Sequence, residues 1–99
     1  MKTVILGAAG MLGNALMHAF RASEPLGLDK DQLDITDKDA VFAKLAEIQP
    51  ELVINAAAYT SVDDAENNEA VAMRVNGYSI GYLAEFCAKK NALLVHFST

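Results

Sequence analysis

The stretch Gly7-Ala8-Ala9-Gly10-Met11-Leu12-Gly13 constrains the fold more than any other part of the chain. The apolar run Thr3-Val4-Ile5-Leu6 precedes it, and the apolar-periodic run Asn14 to Phe20 follows. A buried strand, a glycine turn and a helix start are thus compressed into about twenty residues, the order of the first half of a βαβ unit. Backbone N–H groups and the positive end of a helix dipole converge at one point there, and a phosphate or pyrophosphate is the natural guest. The spacing Gly7-x-x-Gly10-x-x-Gly13 differs from G-x-G-x-x-G, and three packing glycines without a ligand are the alternative reading.

Strands alternating with helical patterns continue along the chain. Lys2 to Leu6 reads as a strand buried on both faces. Met11, Leu12, Ala15, Leu16, Ala19 and Phe20 recur at helical spacing and predict the apolar stripe of a first helix. Pro25 to Asp29 predicts a short second strand. Leu33-Asp34-Ile35 follows too closely to be its parallel neighbour, since a parallel crossover needs about a dozen residues; a short extended stub is expected there. Thr36 is the expected N-cap of a second helix with Asp37 and Asp39 in its first turn, Ala40, Val41, Leu45 and Ile48 on its buried face and Pro50 as its stop. Glu51 to Asn55 predicts a third strand, leaving into the small-residue loop Ala56-Ala57-Ala58-Tyr59-Thr60. After Asp63-Asp64 a long helix runs towards Lys90, with Val71, Val75, Tyr82, Leu83, Phe86 and Cys87 buried. Gly77 and Gly81 weaken it or permit a close neighbour. Asn91 suits a helix C-terminus, and Leu93 to Thr99 is the last strand.

This alternation predicts a Rossmann-like α/β fold: a parallel sheet of order about 2-1-3-4, helices on both faces and right-handed crossovers. The 99 residues suffice for one core. The net charge of -5 with scattered basic residues argues against nucleic acid and anionic membranes as partners. Thr3 to Phe20 carries no charge, but its three glycines, Asn14 and His18 argue against a membrane span or signal peptide. A single cysteine, Cys87, forms no internal disulfide and fits a reducing, cytoplasmic setting.

With that strand order the switch point falls between the first and third strands, where ligands bind outside the carboxyl ends. The glycine turn and the alanine loop would flank it. Asp29, roughly 20 positions after Gly7, suits the hydrogen bond to an adenosine ribose 2′-hydroxyl and opposes a 2′-phosphate, leaning towards NAD; Lys30 offsets that repulsion and leaves NADP open. A solvated loop pair is the plain alternative. Asp34 and Ile35 would hold the adenine, and Ser98-Thr99 brings hydroxyls to the same edge. His96 reads as a packed, satisfied histidine, His18 as helix surface and Cys87 as core. Asp63, Asp64, Glu66 and Glu69 read as a charged helix N-terminus, and no ligand spacing suggests a metal site.

Taken together, the glycine turn, Leu33-Asp34-Ile35-Thr36-Asp37, the string Val53-Ile54-Asn55-Ala56-Ala57-Ala58-Tyr59-Thr60-x-Val62-Asp63-x-Ala65-Glu66, Val75-Asn76 and His96-Phe97-Ser98-Thr99 resemble the N-terminal third of the dTDP-4-dehydrorhamnose reductases, members of the extended short-chain dehydrogenase/reductases. The resemblance covers essentially the whole chain. It implies reduction of dTDP-4-dehydro-L-rhamnose to dTDP-L-rhamnose with NADPH or NADH, in polysaccharide biosynthesis. It places Gly10, Met11 and Leu12 on the cofactor pyrophosphate, within the turn bounded by Gly7 and Gly13, and Asp34 and Ile35 at the adenine; Asp29 and Lys30 remain the ribose candidates that the spacing suggests. Ala56, Ala57, Ala58, Tyr59 and Phe97 fall along the rest of the cofactor. Thr99 matches the catalytic hydroxyl, and Thr60, Val62 and Thr99 lie where the nucleotide-sugar approaches. The family's proton donor sits in Tyr-x-x-x-Lys. Here the residue four positions after Tyr59 is Asp63, after Tyr78 is Tyr82 and after Tyr82 is Phe86. Residues 1–99 are therefore expected to form a cofactor-binding fragment, inactive alone, of a larger enzyme that is a candidate homodimer. A non-catalytic relative, like the regulatory β subunit of methionine adenosyltransferase, and another extended-family enzyme acting on nucleotide sugars are the alternatives. The last strand is expected to leave an open edge prone to self-association.

Overall fold

The computed structural model of the chain describes residues 1–57 and 69–97, the side chains of residues 69–76 excepted. Four strands, β1 (Thr3–Leu6), β2 (Leu26–Leu28), β3 (Leu52–Asn55) and β4 (Leu93–His96), form one sheet of order β2-β1-β3-β4. All three pairings are parallel. Among the described residues, three α-helices connect them, α1 (Met11–Ala19), α2 (Lys38–Ile48) and α3 (Glu69–Lys90), with a single 3-10 turn at Arg21–Ser23 after α1. The predicted strand order and fold class are those observed.

β1 and β3 are apolar throughout their centres because both faces of the sheet are covered. Val4, Leu6, Leu28 and Val53 join Leu33, Val41, Leu45, Leu83, Phe86 and Cys87 in a core under α2 and α3. Ile5 and Ile54, one register position away, are buried on the opposite face. A register slip of one residue would exchange the two sets between faces packed for different side chains, at a cost in packing on both.

α1 packs differently from the expected stripe. Gly13 is buried and Leu16 and Met17 are half-buried, whereas Met11, Leu12, Ala15, Ala19 and Phe20 are exposed. The glycine sets the rotation. A Cβ on Gly13 would lie 1.9 Å from the Gly7 carbonyl oxygen, so the helix can approach the turn only through that hydrogen-bearing face. Positions i, i+3 and i+4 from Gly13 then meet the sheet, and Met17 packs over Gly27 of β2.

The segment after β2 forms turns where a short extended stub was expected. The Asp29 carbonyl accepts the N–H groups of Gln32 and Leu33, both at 2.9 Å, and the Asp34 carbonyl accepts that of Asp37. Leu33 anchors these turns in the core. The N-cap of α2 is Asp37, whose carboxylate accepts the Ala40 N–H at 3.2 Å, and not the expected Thr36. Thr36 is diverted to Asp34, its hydroxyl donating at 2.6 Å. α2 ends at Ile48, with Gln49 left-handed before Pro50.

α3 buries Leu83, Phe86 and Cys87, half-buries Tyr82, and meets α2 through an edge-on Phe42–Phe86 pair with centroids 5.7 Å apart. Val71 and Val75 lie outside the described side chains. Asn91, at φ 56°, closes the helix, and the Ala92 N–H returns to the Cys87 carbonyl at 2.9 Å. Gly77 and Gly81 serve no close approach: a Cβ on either meets nothing within 4 Å among the described residues. Gly77→Ala and Gly81→Ala are therefore each expected to stabilise the chain by roughly 0.5–1 kcal/mol, read as a raised urea midpoint at unchanged m-value.

Candidate functional site

The carboxyl ends of β1, β2 and β3 meet at the glycine turn. The N–H groups of Gly7 and Ala8 both donate to the Leu28 carbonyl, at 2.8 and 3.2 Å, tying the turn to the end of β2 where Asp29 follows. Gly7 has φ +76°, a conformation that side-chain-bearing residues avoid. A Cβ there would also lie 2.7 Å from the Ala57 nitrogen and Cα. Glycine is thus required at position 7 twice over, by its dihedral and by the alanine loop packed against it. The turn and that loop flank the switch point, as the strand order predicted, and are in direct contact there.

α1 begins without a cap. Its N-cap residue is Gly10, no side chain caps the helix end, and its first turn contains no acid. Gly10 N–H is used inside the turn, on the Gly7 carbonyl at 3.1 Å, and Asn14 N–H makes the first helical bond to Gly10. The N–H groups of Met11, Leu12 and Gly13 have no acceptor among the described residues. Three unpaired donors at the positive end of a helix are the arrangement an anion satisfies. The Met11 side chain is 91% exposed, so it presents its backbone and packs on nothing.

Asp29 is half-buried just beyond β2, its N–H fixed by the Gln32 side chain at 2.8 Å. Its carboxylate makes no hydrogen bond to the described residues and is available to a ligand. Lys30 is exposed beside it. Asp34 is exposed, with Oδ1 accepting from the Thr36 hydroxyl at 2.6 Å and the Thr36 N–H at 2.9 Å. The Thr36 side-chain hydrogen bond, followed by the backbone one, holds this carboxyl below the usual carboxylate range, leaving an ionised acceptor. Ile35 is half-buried against the core. A shallow hollow of about 390 Å³ between this segment and α2 includes Lys30, Asp34 and Lys44 in its lining, but no residue of the glycine turn.

Asn55 is the residue whose importance was not legible in the sequence. It ends β3, is 1% exposed, and its Oδ1 accepts the Ala57 N–H at 3.0 Å. Its Nδ2 lies 3.0 Å from Nδ1 of His96, the last residue of β4. The one signal in sequence was a polar side chain closing an otherwise apolar strand. His96 is satisfied, His18 is exposed beside Arg21, and Cys87 lies in the core where burial pushes its thiol up, each as expected. Phe97 follows β4 at the same edge and is exposed, its N–H donating to the Asn55 carbonyl at 3.1 Å. Ala58, Tyr59, Thr60, Val62, Ser98 and Thr99 lie outside the described residues, as do Asp63, Asp64 and Glu66 of the acidic run. No helix among the described residues is long and apolar enough to cross a membrane.

A parallel sheet with a glycine turn and an uncapped helix start at its switch point defines a Rossmann-like α/β protein. The family model described as the RmlD substrate binding domain matches residues 1–99, and the chain belongs to that family. It is 43% identical to a dTDP-4-dehydrorhamnose reductase of Aggregatibacter actinomycetemcomitans, over 99% of this chain and 34% of the relative. It is 45% identical to a probable dTDP-4,6-dihydroxy-2-methyloxan-3-one 4-ketoreductase of Streptomyces antibioticus, over 100% of this chain and 35% of the relative. The crystal structure of a dTDP-4-dehydrorhamnose reductase from Bacillus anthracis in complex with NADP superposes with a TM-score of 0.82 at 33% identity, over 94% of this chain and 34% of that one. The chain thus spans about a third of the length of these relatives.

Proposed function

We propose that residues 1–99 form the cofactor-binding part of an NAD(P)H-dependent reductase acting on a nucleotide-linked 4-keto-deoxysugar, with dTDP-4-dehydro-L-rhamnose as the substrate. The observation that carries this reading is the set of three N–H groups, at Met11, Leu12 and Gly13, with no acceptor among the described residues, beside the contact between Gly7 and Ala57. The family's description names substrate binding, but within the described residues the built feature is this anion cradle. Its relatives' names supply the substrate class, since both curated relatives act on dTDP-linked sugars by name.

A nicotinamide dinucleotide, when bound, supplies hydride to the sugar's keto carbon. This chain's own residues bind and orient. Met11, Leu12 and Gly13 donate to the pyrophosphate, and Gly7 and Gly10 leave room for it. The Asp29 carboxylate accepts from the adenosine ribose, and Asp34, kept ionised by Thr36, accepts from the adenine amine. Ala56 to Tyr59 and Phe97 flank the remainder of the cofactor. Thr60 and Val62 meet the sugar nucleotide, and Thr99 contributes the hydroxyl that contacts the reacting carbonyl. The proton donor of the family's Tyr-x-x-x-Lys is not among residues 1–99.

Cofactor choice turns on Asp29. Removing an ionised acceptor from the 2′-hydroxyl costs about 1.5–3 kcal/mol. Asp29→Ala is expected to weaken NADH binding about tenfold or more while leaving NADPH binding within a few fold, because it also relieves repulsion of the 2′-phosphate. Fluorescence titration of both cofactors checks this, and equal losses for the two would remove Asp29 from the ribose.

A further inference from the structure

We infer that Asn55 and His96 form a positioning pair that holds the Ala56–Ala57 backbone against the glycine turn, and that the pair closes only while Nδ1 of His96 is unprotonated. The directions of the hydrogen bonds carry this. The Ala57 N–H can only donate, so the Asn55 atom it meets is the amide oxygen. The other end of the amide is then the NH₂ group, which can only donate, and the His96 Nδ1 it meets at 3.0 Å must accept. The ring is therefore neutral with its proton on Nε2.

The main chain makes the same residue a junction. The Asn55 carbonyl accepts the Phe97 N–H, and the Ala56 N–H donates to the Leu6 carbonyl at 3.0 Å. Asn55 thus joins the ends of β1, β3 and β4 at the point where Ala57 touches Gly7. That contact has no slack, so a shift of Ala57 is felt by the turn. Protonation of Nδ1 sets two N–H donors against each other, and the pair opens. Histidine side chains as a class change charge between about pH 5 and 8. The clamp is closed while Nδ1 carries no proton and opens when that nitrogen takes one.

No other ionisable side chain of β3 or β4 competes for this role, since Leu52–Asn55 and Leu93–Phe97 contain only His96. On α3, the described side chains facing the sheet include two ionisable groups, Tyr82 and Cys87, with Cys87 in the core beside Ala92 at the far end of β4. Glu85 and Lys89 are engaged with each other and Glu85 also with Lys38, on the side of α3 that meets α2.

The affinity arm of the test rests on the cofactor reading, and the spectroscopic arm does not. NADH is the probe, because a 2′-phosphate would itself titrate near pH 6. Loss of one clamping hydrogen bond is expected to make NADH binding about five- to tenfold weaker at about pH 5.5 than at about pH 8. His96→Asn places an amide oxygen where Nδ1 stood, an acceptor that does not titrate, and should bind like the native chain at the higher pH with no fall at the lower. His96→Ala should bind weakly at both. Asn55→Asp accepts the Ala57 N–H and pairs with an imidazolium, so its trend should reverse. A His96→Asn variant that keeps the native fall, or a His96→Ala variant that binds like the native chain, overturns the proposal. Nitrogen NMR of the native chain at about pH 8 decides independently of any variant or ligand. A proton on Nε2 with a slowly exchanging Ala57 amide supports the pair, and a proton on Nδ1 overturns it. Absence of NADH binding beside an Nε2–H ring would refute the proposed function and leave the pair standing.

Discussion

Gly13→Ala is expected to destabilise the chain by about 3 kcal/mol or more, the upper range for forcing atoms into a packed interior. The added carbon would sit 1.9 Å from the Gly7 carbonyl oxygen and 2.7 Å from the Gly7 carbonyl carbon. Both obstacles are backbone, so no side-chain rotation relieves the clash. Gly7 cannot retreat, because its other side is packed on Ala57. α1 must lift from the sheet or the turn must open. At about 4–8 °C per kcal/mol for a domain of this size, the midpoint of a circular-dichroism melt should fall by roughly 12 °C or more. Gly10→Ala is the internal control: its Cβ meets only the Gly7 oxygen at an ordinary 3.5 Å, and its cost should stay within about 1 kcal/mol. A Gly13→Ala chain that melts with the native one would show that the close approach of α1 to the turn is not what fixes this helix.

Met11→Pro separates binding from stability. Met11 is the first residue of α1, the position where proline is best tolerated, since its N–H has no helical partner. The residue before a proline must be extended, and Gly10 already is, at φ -75° and ψ 172°. The lost side chain is almost wholly exposed and packs on nothing. Stability is therefore expected to hold or rise by a few tenths of a kcal/mol. Dinucleotide affinity should nonetheless fall by about 1.5–3 kcal/mol, roughly ten- to a hundredfold, because one of three donors to the pyrophosphate is gone. Isothermal titration with NADPH beside a melt of the same sample reads both. Unchanged affinity in a well-folded Met11→Pro chain would exclude the start of α1 as the phosphate site.

The central strands were legible because both of their faces are buried, so Val4–Leu6 and Leu52–Ile54 appear in sequence as short unbroken apolar runs. That the glycine turn and the alanine loop flank one point followed from the strand order; their direct contact, Gly7 on Ala57, did not. The face of α1 was not legible, because a hydrophobic pattern gives glycine no weight and here Gly13 sets the rotation. The cap of α2 was misplaced by one residue because Thr36 and Asp37 are both good caps and only tertiary structure shows that Asp34 claims the threonine. Leu33-Asp34-Ile35 was read as extended from its two apolar residues, both of which are drawn towards the core from turns. The Asn55–His96 pair was invisible for another reason. The two residues are far apart in the chain and meet only through the β3–β4 register, which places Asn55 opposite His96. Among the described residues β4 is an edge strand of the sheet, as expected from the sequence, and its Leu93 and Val95 are exposed on one face.

Amide-resolved NMR titration of the native chain with NADPH is the most direct test of a cofactor-binding role. Saturable shifts largest at Met11, Leu12 and Gly13, with Ala56 and Ala57 following, are the predicted result. Absence of saturable shifts, or shifts confined to the hollow around Lys30 and Lys44, would contradict it.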